Sequence, residues 1–374
     1  MANVEIKTVA SKSDLKKFIK LPWKIYRGDK NWAPPLIMDM KKLLNREKNP
    51  FFQHSEAEYF LAFKNGELVG RIAAILNNRH NEFHEEKTGF FGFFESIEDQ
   101  EVAAALLNKA ETWVRGKKQG RIRGPMNFST NDTCGMLIEN FDEPPLIMMT
   151  YNPAYYNRFF DTFSYTKAQD LLAYKQYTAA KLNPRLQKIA EAAKSREDLT
   201  VRHLNMKRFW DDVEIIKKVY NDAWSKNWGF VPMTDAEIHH LAKDLKPVVD
   251  PRYVFIIEIK GDPVAFALSL PDFNQALIKI NGRLFPFGLP RLLYYSRKIN
   301  VLRNMILGVV QEYQKNSGLG ALLYSLTWDM GEKTDILYGE FSWILESNKA
   351  MNAAAKNMGG TVYKRYRIYE KEFL

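Results

Sequence analysis

Short apolar stretches with the two-residue period of β-strands alternate along this chain with longer stretches whose apolar residues recur every three or four positions. The first pattern predicts strands at residues 4–10, 88–95, 199–204 and 304–310. The second predicts helices, most clearly over residues 102–114. Asn65-Gly66 and Gly261-Asp262 each separate two apolar runs, which predicts a tight hairpin in each half. Both halves are therefore predicted to be α/β.

The two halves repeat three sequence features in the same order and at one constant offset. The paired segments are Lys-Asn-Trp at 30–32 and 226–228, the hairpins at 59–69 and 255–265, and Asn-x-Ala at 152–154 and 348–350. Three anchors in register predict a duplicated domain. The second half carries extra residues around 272–298, which predicts a loop inserted into the common scaffold.

The length also favours two domains, because 374 residues exceed what one hydrophobic core usually serves. We predict an N-terminal domain over residues 1–175 and a C-terminal domain over residues 199–374. Between them, residues 176–198 contain a polar helical segment and are predicted to be a connector.

Composition and charge limit the cellular setting and the partners. The single Cys134 cannot form an internal disulfide and the first residues lack a signal-peptide pattern, so a cytoplasmic location is expected. The net charge of +10 favours an anionic partner. The basic residues are scattered and form no known nucleic-acid motif, so no nucleic acid is expected. No apolar run is long enough for a transmembrane segment, whereas peripheral membrane contact and the oligomeric state are left open.

The segment over residues 309–323 is the most informative part of the sequence, since an apolar strand runs there into a glycine turn that opens a helix. Gly318 and Gly320 allow close approach of a ligand to the backbone, and the first helical turn offers unpaired N–H groups. Such a loop binds a pyrophosphate without needing side-chain charge. The spacing matches neither GxGxxG nor Gx4GK[ST], so the dinucleotide and P-loop interpretations lose their main support.

The loop resembles the acyl-CoA loop of the GNAT (Gcn5-related N-acetyltransferase) superfamily, [Arg/Gln]-x-x-Gly-x-[Gly/Ala], which here is Lys315-x-x-Gly318-x-Gly320. Lys315 departs from that pattern. A later strand, Asn348 at the start of a helix and a glycine turn at Gly359 follow in the order of the family. The resemblance implies an α/β chain of two tandem GNAT-like (acyl-CoA N-acyltransferase) domains, each a mixed, splayed, mostly antiparallel sheet flanked by helices.

The resemblance also implies that the co-substrate, acetyl-CoA or another acyl-CoA, binds between the fourth and fifth strands of the C-terminal domain. The residues implied to bind it are Gly308, Val309, Val310, Lys315, Asn316, Ser317, Gly318, Leu319, Gly320, Ala321 and Asn348. In the first half, Val102 and Ala104 stand where the two glycines would be. That copy is therefore predicted to have a degenerate loop that binds no acyl-CoA.

Acyl transfer to an amine needs a base, a donor for the oxyanion and an acid for the leaving thiolate. Glu340, on the predicted fifth strand, is the candidate base, and the backbone N–H of Val309 or Val310 is the candidate donor. Ala355 stands where the family pattern implies a tyrosine acid. Either Tyr363, Tyr366 or Tyr324 takes the place of that acid, or the thiolate leaves unassisted.

Aromatic clusters give the candidates for binding the amine acceptor, which are Asn227, Trp228 and Tyr155. The histidines and the cysteine lack the spacing of a metal site, so no metal is predicted.

We therefore predict an N-acyltransferase that moves an acetyl or longer acyl group from acyl-CoA to an amine of a small molecule, lipid precursor or peptide. A long fatty acyl donor would require an apolar tunnel beside the fourth strand. Two alternatives stay open: a non-catalytic module that binds CoA or another ligand, and an aminoacyl-tRNA-dependent transferase of the peptidoglycan-bridge type.

Overall fold

A computed structural model describes residues 4–315 and 317–373. Its strands are β1 Val4–Thr8, β2 Glu56–Lys64, β3 Glu67–Leu76, β4 Thr88–Ser96, β5 Arg121–Gly124, β6 Met126–Asn127, β7 Thr133–Cys134, β8 Met136–Glu139, β9 Thr166–Tyr177, β10 Leu199–His203, β11 Val254–Ile259, β12 Asp262–Pro271, β13 Val301–Val309, β14 Tyr338–Leu345 and β15 Thr361–Glu372. Its α-helices are α1 Lys12–Lys20, α2 Pro22–Ile25, α3 Ile37–Leu43, α4 Asn78–His84, α5 Gln100–Gly116, α6 Tyr156–Thr162, α7 Pro184–Lys194, α8 Phe209–Trp224, α9 Asp235–Leu245, α10 Asn274–Leu277, α11 Gly288–Ser296, α12 Leu319–Glu332 and α13 Lys349–Asn357. None of the helices in this described part is long and apolar enough to cross a membrane.

The chain forms two compact units. The first contains the chain up to Asp170 together with Ala276–Leu293 and the residues from Arg365 on, and the second contains Leu171–Gln275 and Tyr294–Lys364. This division differs from the boundaries drawn on the sequence, because two segments of the C-terminal half belong to the first unit. One of these segments, Ala276–Leu293, covers most of residues 272–298, which comparison of the two halves predicts to be an inserted loop.

The first unit carries a mixed, mostly antiparallel sheet in the order β1-β2-β3-β4-β5. Among the described strands of this unit, β4 and β5 are the parallel pair, and the C-terminal part of β15 pairs with β5 and with β8. The helix α5 packs its apolar face on this sheet, with Leu106, Leu107 and Val114 inside the core. Phe91, Phe160 and Tyr369 stack within the same core.

The second unit repeats this arrangement, with a sheet in the order β10-β11-β12-β13-β14 that continues to residues 171–177 of β9. Here β13 and β14 are the parallel pair. Ile257, Val309 and Leu322 lie in one core with Ala193 of α7. The expectation of a mixed, mostly antiparallel sheet with helices around it is confirmed in both halves.

Both predicted hairpins are present, but the second turn lies one residue earlier than expected. Asn65 and Gly66 adopt left-handed backbone angles between β2 and β3, as a turn of the primed type requires. Between β11 and β12 the left-handed pair is Lys260 and Gly261, not Gly261 and Asp262. A shift of register next to Glu258 accompanies this turn.

The start of α12 is fixed by a glycine in the left-handed region. Gly318 is the N-cap of this helix and has φ 71°. A Cβ atom placed there would lie 3.1 Å from the Cβ of Ala193 and 3.3 Å from the carbonyl oxygen of Ile189, both on α7. A Cβ atom on Gly320, two residues further along the chain, would meet no atom within 4 Å. Gly318 is therefore constrained by the fold, whereas Gly320 leaves open space.

We predict that Gly318→Ala lowers the free energy of unfolding by about 1–2 kcal/mol, because a side chain is unfavourable at positive φ. The control is Gly320→Ala, which should leave stability unchanged or raise it by up to about 1 kcal/mol, since alanine favours helix. Urea unfolding of both variants and the parent measures the difference. Equal stability of the two variants would contradict the assignment of distinct roles to the two glycines.

Candidate functional site

A gap between two neighbouring strands shapes the site of the second unit. The parallel pairing joins Val301–Asn304 of β13 to Tyr338–Phe341 of β14 and then ends. β13 nevertheless continues to Val309 and β14 to Leu345. Beyond the last pair, the facing edges of both strands lack a strand partner, so their backbone groups need other ones. This is the splay that the family resemblance implies.

An irregularity in the ladder lies where the gap begins. On the other side of β13, Leu268 faces Ile306 and Ser269 faces Asn304, so that Met305 has no partner on β12. An extra residue of this kind is a β-bulge, which turns a backbone group out of the ladder. Met305 also lines the cavity described below. The sequence gives no sign of this bulge.

Side-chain amides bind the carbonyl groups at the far ends of both separated strands. Gln314 Nε2 donates to the carbonyl oxygen of Val309 at 3.0 Å, and Asn352 Nδ2 donates to that of Leu345 at 2.9 Å. The N–H of Val310 donates to the carbonyl of Val264 at 2.9 Å. The N–H of Val310 is therefore already engaged and cannot donate to the oxyanion. Of the two predicted oxyanion donors, Val309 remains a candidate.

The N-terminus of α12 presents backbone donors next to the gap. The N–H of Leu319 donates to the hydroxyl oxygen of Ser317 at 3.3 Å, and the N–H of Leu322 donates to the carbonyl oxygen of Gly318 at 2.9 Å. Within the described chain, no acceptor is seen for the N–H groups of Gly320 and Ala321. Both residues line the cavity. Together with the helix dipole, these groups favour an anion.

A cavity of about 800 Å³ lies among β13, β14, α7, α8, α12 and α13, entirely within the second unit. Its size falls in the range of roughly 300–1,000 Å³ that is usual for ligand sites. Large apolar residues form much of its wall: Leu186, Ile189, Trp224, Leu307, Tyr324, Phe341, Trp343, Ile344, Leu345 and Met351. Polar residues also line it, including Asn183, Arg185, Lys226, Asn227, Gln311 and Gln314. The cavity suits a ligand with both anionic and apolar parts.

The cationic residues that line the cavity are Arg185 and Lys226, whereas the sequence motif suggested Lys315. Arg185 comes from the first turn of α7 and Lys226 follows α8, and both line the cavity. Lys315 is exposed and does not belong to the lining. Its neighbour Asn316, also a predicted ligand, lies outside the described residues.

The start of α13 forms another part of the wall. The side chain of Asn348 caps this helix by accepting from the N–H of Met351 at 3.1 Å, and both residues line the cavity. Ala355, which replaces the tyrosine of the family pattern, lines it as well. The hydroxyl of Tyr324 on α12 lies 3.4 Å from the sulfur of Met351. Burial raises the pKa of Tyr324 well above its ordinary value, so its hydroxyl keeps its proton at neutral pH.

Glu340 is fully buried and lies behind the wall of the cavity. Its carboxylate accepts hydrogen bonds from the hydroxyls of Ser342 and Tyr363. Ser342 in turn accepts from Arg303 Nε at 3.0 Å, and it is Ser342 that lines the cavity. The structure thus brings the predicted base Glu340 and the predicted acid Tyr363 into one network that reaches the cavity through a serine.

The other predicted side chains divide between the units. Asn227 lines the cavity, whereas its neighbour Trp228 is not part of the lining. Tyr155 and Tyr366 belong to the first unit. The hydroxyl of Tyr155 donates to the carbonyl of Ser96 at 2.7 Å, and Tyr366 lies opposite Leu137 in a strand pair. For these two tyrosines a role in packing the first unit accounts for the contacts observed.

In the first unit, the helix that corresponds to α12 starts with an acidic cap. The carboxylate of Asp99 accepts from the N–H groups of Glu101 and Val102 at 2.9 and 3.3 Å. Lys64 Nζ bonds to the same carboxylate at 2.6 Å. A carboxylate therefore already occupies the first-turn donors of α5 that an anionic ligand would need.

Sequence reasoning missed several residues of the site because their positions come from tertiary packing. Arg185 stands in the segment interpreted as a connector, and Lys226 belongs to the repeated Lys-Asn-Trp tripeptide, which served only as evidence of duplication. The one available signal was the cap at Asn183-Pro184, which marks the start of α7. Among the described residues, no group of three His, Cys, Asp or Glu side chains is placed to hold a metal ion.

Comparison with known proteins identifies relatives over the whole chain, although no protein-family profile matches it. The chain is 36% identical over 373 residues to Protein YghO of Escherichia coli (strain K12), covering 98% of this chain and 95% of that protein. It is 37% identical over 382 residues to the bacterial ceramide synthase of Caulobacter vibrioides (strain NA1000 / CB15N), covering 99% and 98%.

Solved structures give the fold. A tandem GNAT protein from the clavulanic acid biosynthesis pathway superimposes with a TM-score of 0.58 at 12% identity, covering 99% of this chain and 98% of that one. A GCN5-related N-acetyltransferase from Sphaerobacter thermophilus gives a TM-score of 0.54 at 12% identity, covering 99% and 95%. The expected tandem GNAT fold is thereby confirmed.

Family membership favours an enzyme over the alternative of a non-catalytic module. With more than a third of its residues identical over nearly the full length of both relatives, the chain belongs to the family of the Caulobacter bacterial ceramide synthase and is an acyltransferase of tandem GNAT fold.

Proposed function

We propose that the second unit binds a long-chain acyl-CoA and transfers its acyl group to the primary amine of a long-chain amino alcohol, which yields a ceramide-type amide. The observation that carries this proposal is the large apolar wall of the cavity beside β13. A fatty acyl donor requires such a wall, whereas an acetyl group does not. The relationship to a protein named bacterial ceramide synthase supports the same class of substrates.

The pyrophosphate of the donor fits the N-terminus of α12. Gly320 and Ala321 offer N–H groups there, and the space beside Gly320 is open. Arg185 and Lys226 supply positive charge to the same cavity. Backbone donors, a helix dipole and two cations together suit a phosphate ester better than any one of them does alone.

The acyl chain fits the apolar part of the wall. Leu186, Leu307, Phe341 and Met351 lie there with the ring of Tyr324, and Leu182 and Met358 belong to the same apolar cluster. Each methylene removed from water stabilises the complex by about 0.8 kcal/mol. Burial of only two methylenes beyond an acetyl group therefore favours the longer donor more than tenfold.

The reaction forms one C–N bond and breaks one C–S bond, and two protons must move with them. The amine nitrogen attacks the thioester carbonyl and gives up a proton, which passes through the Ser342 hydroxyl to the Glu340 carboxylate. The leaving thiolate takes a proton from the Tyr324 hydroxyl, and exchange with solvent then removes the proton from Glu340 and returns one to Tyr324. Backbone N–H groups of β13, with Val309 and the bulge at Met305 as candidates, stabilise the oxyanion.

In this proposal Tyr324 takes the role of the tyrosine acid that the family pattern has at the position of Ala355. Its hydroxyl lies against Met351, one helical turn before Ala355 on α13. The phenol is protonated at neutral pH, as an ordinary tyrosine is, and burial raises its pKa further. A raised pKa makes the phenol a weaker acid, so the proposed role rests on the place of Tyr324 in the cavity wall and not on this shift.

The donor preference tests the proposal directly. With a long-chain amino alcohol as acceptor, we expect kcat/KM for palmitoyl-CoA to exceed that for acetyl-CoA at least tenfold, because the apolar wall is filled only by the longer chain. Mass spectrometry of the amide product and release of free CoA measure the rates. Preference for acetyl-CoA, or absence of amide product with every long-chain amine, would contradict the proposal.

A matched pair of substitutions on α13 shows whether the cavity sets this preference. Ala354 lines the cavity, whereas Ala353 on the same helix is exposed and does not. Ala354→Phe should reduce the advantage of palmitoyl-CoA, and Ala353→Phe should leave it unchanged. A preference that survives Ala354→Phe would place the acyl chain elsewhere.

Removal of the Tyr324 hydroxyl tests the proposed acid. Tyr324→Phe keeps the ring, which contacts Phe341 edge to face at 6.1 Å between centroids, so the fold should be retained. We expect kcat to fall by roughly 10²–10⁴ with CoA affinity unchanged, which is the usual contribution of general acid catalysis. Tyr363→Phe is the comparison, since its hydroxyl bonds to Glu340 instead. A kcat within threefold of the parent would rule Tyr324 out.

A further inference from the structure

The segment Ala276–Leu293 of the first unit presents large apolar side chains to solvent. Phe285 is 88% exposed and Phe287 is 72% exposed, and Leu289 and Leu293 follow at half exposure or more. Leu289 and Leu293 are four residues apart on α11 and therefore share one face of that helix. Such a series of exposed apolar residues normally marks an interaction surface.

The segment is held firmly by its neighbours in the first unit, so the aromatic tips are not a frayed loop. Ile37 donates its N–H to the carbonyl of Gly282 at 3.1 Å, and Trp23 Nε1 donates to Asn281 Oδ1 at 2.8 Å. Gly282 has φ 71°, and a Cβ atom there would lie 2.5 Å from the carbonyl oxygen of Pro35. The backbone is therefore closely packed at Asn281 and Gly282, while Phe285 and Phe287 a few residues later are exposed.

A groove of about 380 Å³ lies beside these aromatics, and its rim is basic. Ile19, Leu36, Ile37 and Leu284 give it apolar walls, with Phe285 and Met38 at its edge. The charged residues of the rim are Lys16, Lys20, Lys41 and Arg283. Residues 281–296 contain no Asp or Glu, and Arg291 adds a further positive charge. Of the nearby acids, Asp14 on α1 is engaged by Ser11 and Lys17, and the exposed Asp39 on α3 lies next to Met38 but does not line the groove.

We propose that this surface, formed by the basic groove and the residues Phe285, Phe287, Leu289 and Leu293, docks the protein on an anionic phospholipid bilayer. Exposed aromatic and aliphatic side chains bordered by Lys and Arg suit the interface, where rings enter the headgroup region and cations contact lipid phosphates. The positive charge of the rim argues against docking of a second copy of the chain at this surface. A self-complementary contact would bring two equally basic rims together.

Vesicle flotation with the full chain tests the docking surface. Vesicles of phosphatidylcholine alone are compared with vesicles in which part of it is replaced by phosphatidylglycerol. We expect binding to the anionic vesicles, weakened at high salt because the charges are screened. The double variant Phe285→Ser/Phe287→Ser should bind at least tenfold more weakly. The triple variant Lys16→Gln/Lys20→Gln/Lys41→Gln should lose roughly fivefold per charge near the surface, on anionic vesicles only.

The matched control is Phe83→Ser/Leu337→Ser, which removes two exposed apolar side chains elsewhere and should bind like the parent. Circular dichroism checks that all variants are folded. Equal binding of the Phe285/Phe287 variant and the parent overturns the proposal, as does absence of binding to anionic vesicles. A dimer detected by light scattering that only the Phe285/Phe287 variant loses, without vesicle binding, would assign the surface to self-association instead. Failure of acyl transfer would not affect any of these readings, because vesicle binding is measured without substrates.

Discussion

The early end of hydrogen bonding between two parallel strands is the constraint on which the rest of the site depends. A sheet interior normally pairs both edges of every strand, and here β13 and β14 give up that pairing after four positions. The carbonyl groups at the ends of the two strands accept hydrogen bonds from the side-chain amides of Gln314 and Asn352. The backbone between is left to face a cavity, and helices α7, α12 and α13 close around it. A ligand that forms strand-like hydrogen bonds and also fills apolar space is the natural complement of such a gap.

The sequence was sufficient for the type and order of the elements, where local rules and tertiary structure agree, but not for the boundaries of the two units. Strand periodicity, the two glycine turns and the repeat at constant offset all predict the same duplicated architecture, and the elements follow in that order. The pair Gly318 and Gly320 was likewise informative. One is required by left-handed backbone geometry and the other keeps space open, and glycine satisfies both needs.

The side-chain chemistry of the site could be predicted only in part, because it depends on which elements pack around the gap. The motif drew attention to Lys315, which is exposed, whereas Arg185 enters from a helix far away in sequence. Glu340 is on the expected strand, yet it is buried behind Ser342 and would act through that hydroxyl. The loss of a tyrosine at Ala355 is obvious from the sequence, but the hydroxyl of Tyr324 beside the same helix becomes apparent only in three dimensions.

The central claim is that the open space at Gly320 receives the pyrophosphate of acyl-CoA, and calorimetric titration with CoA tests it most directly. Gly320→Gln and Gly320→Glu add side chains of equal size into that space, and only the second adds a negative charge. An acidic residue in the first turn also favours the helix dipole, so loss of folding would not explain weaker binding. The account predicts that the parent binds CoA and that Gly320→Glu binds at least tenfold more weakly than Gly320→Gln, since like charges meet at the helix N-terminus. Equal affinity of the two variants, or no binding of CoA by the parent, would contradict it.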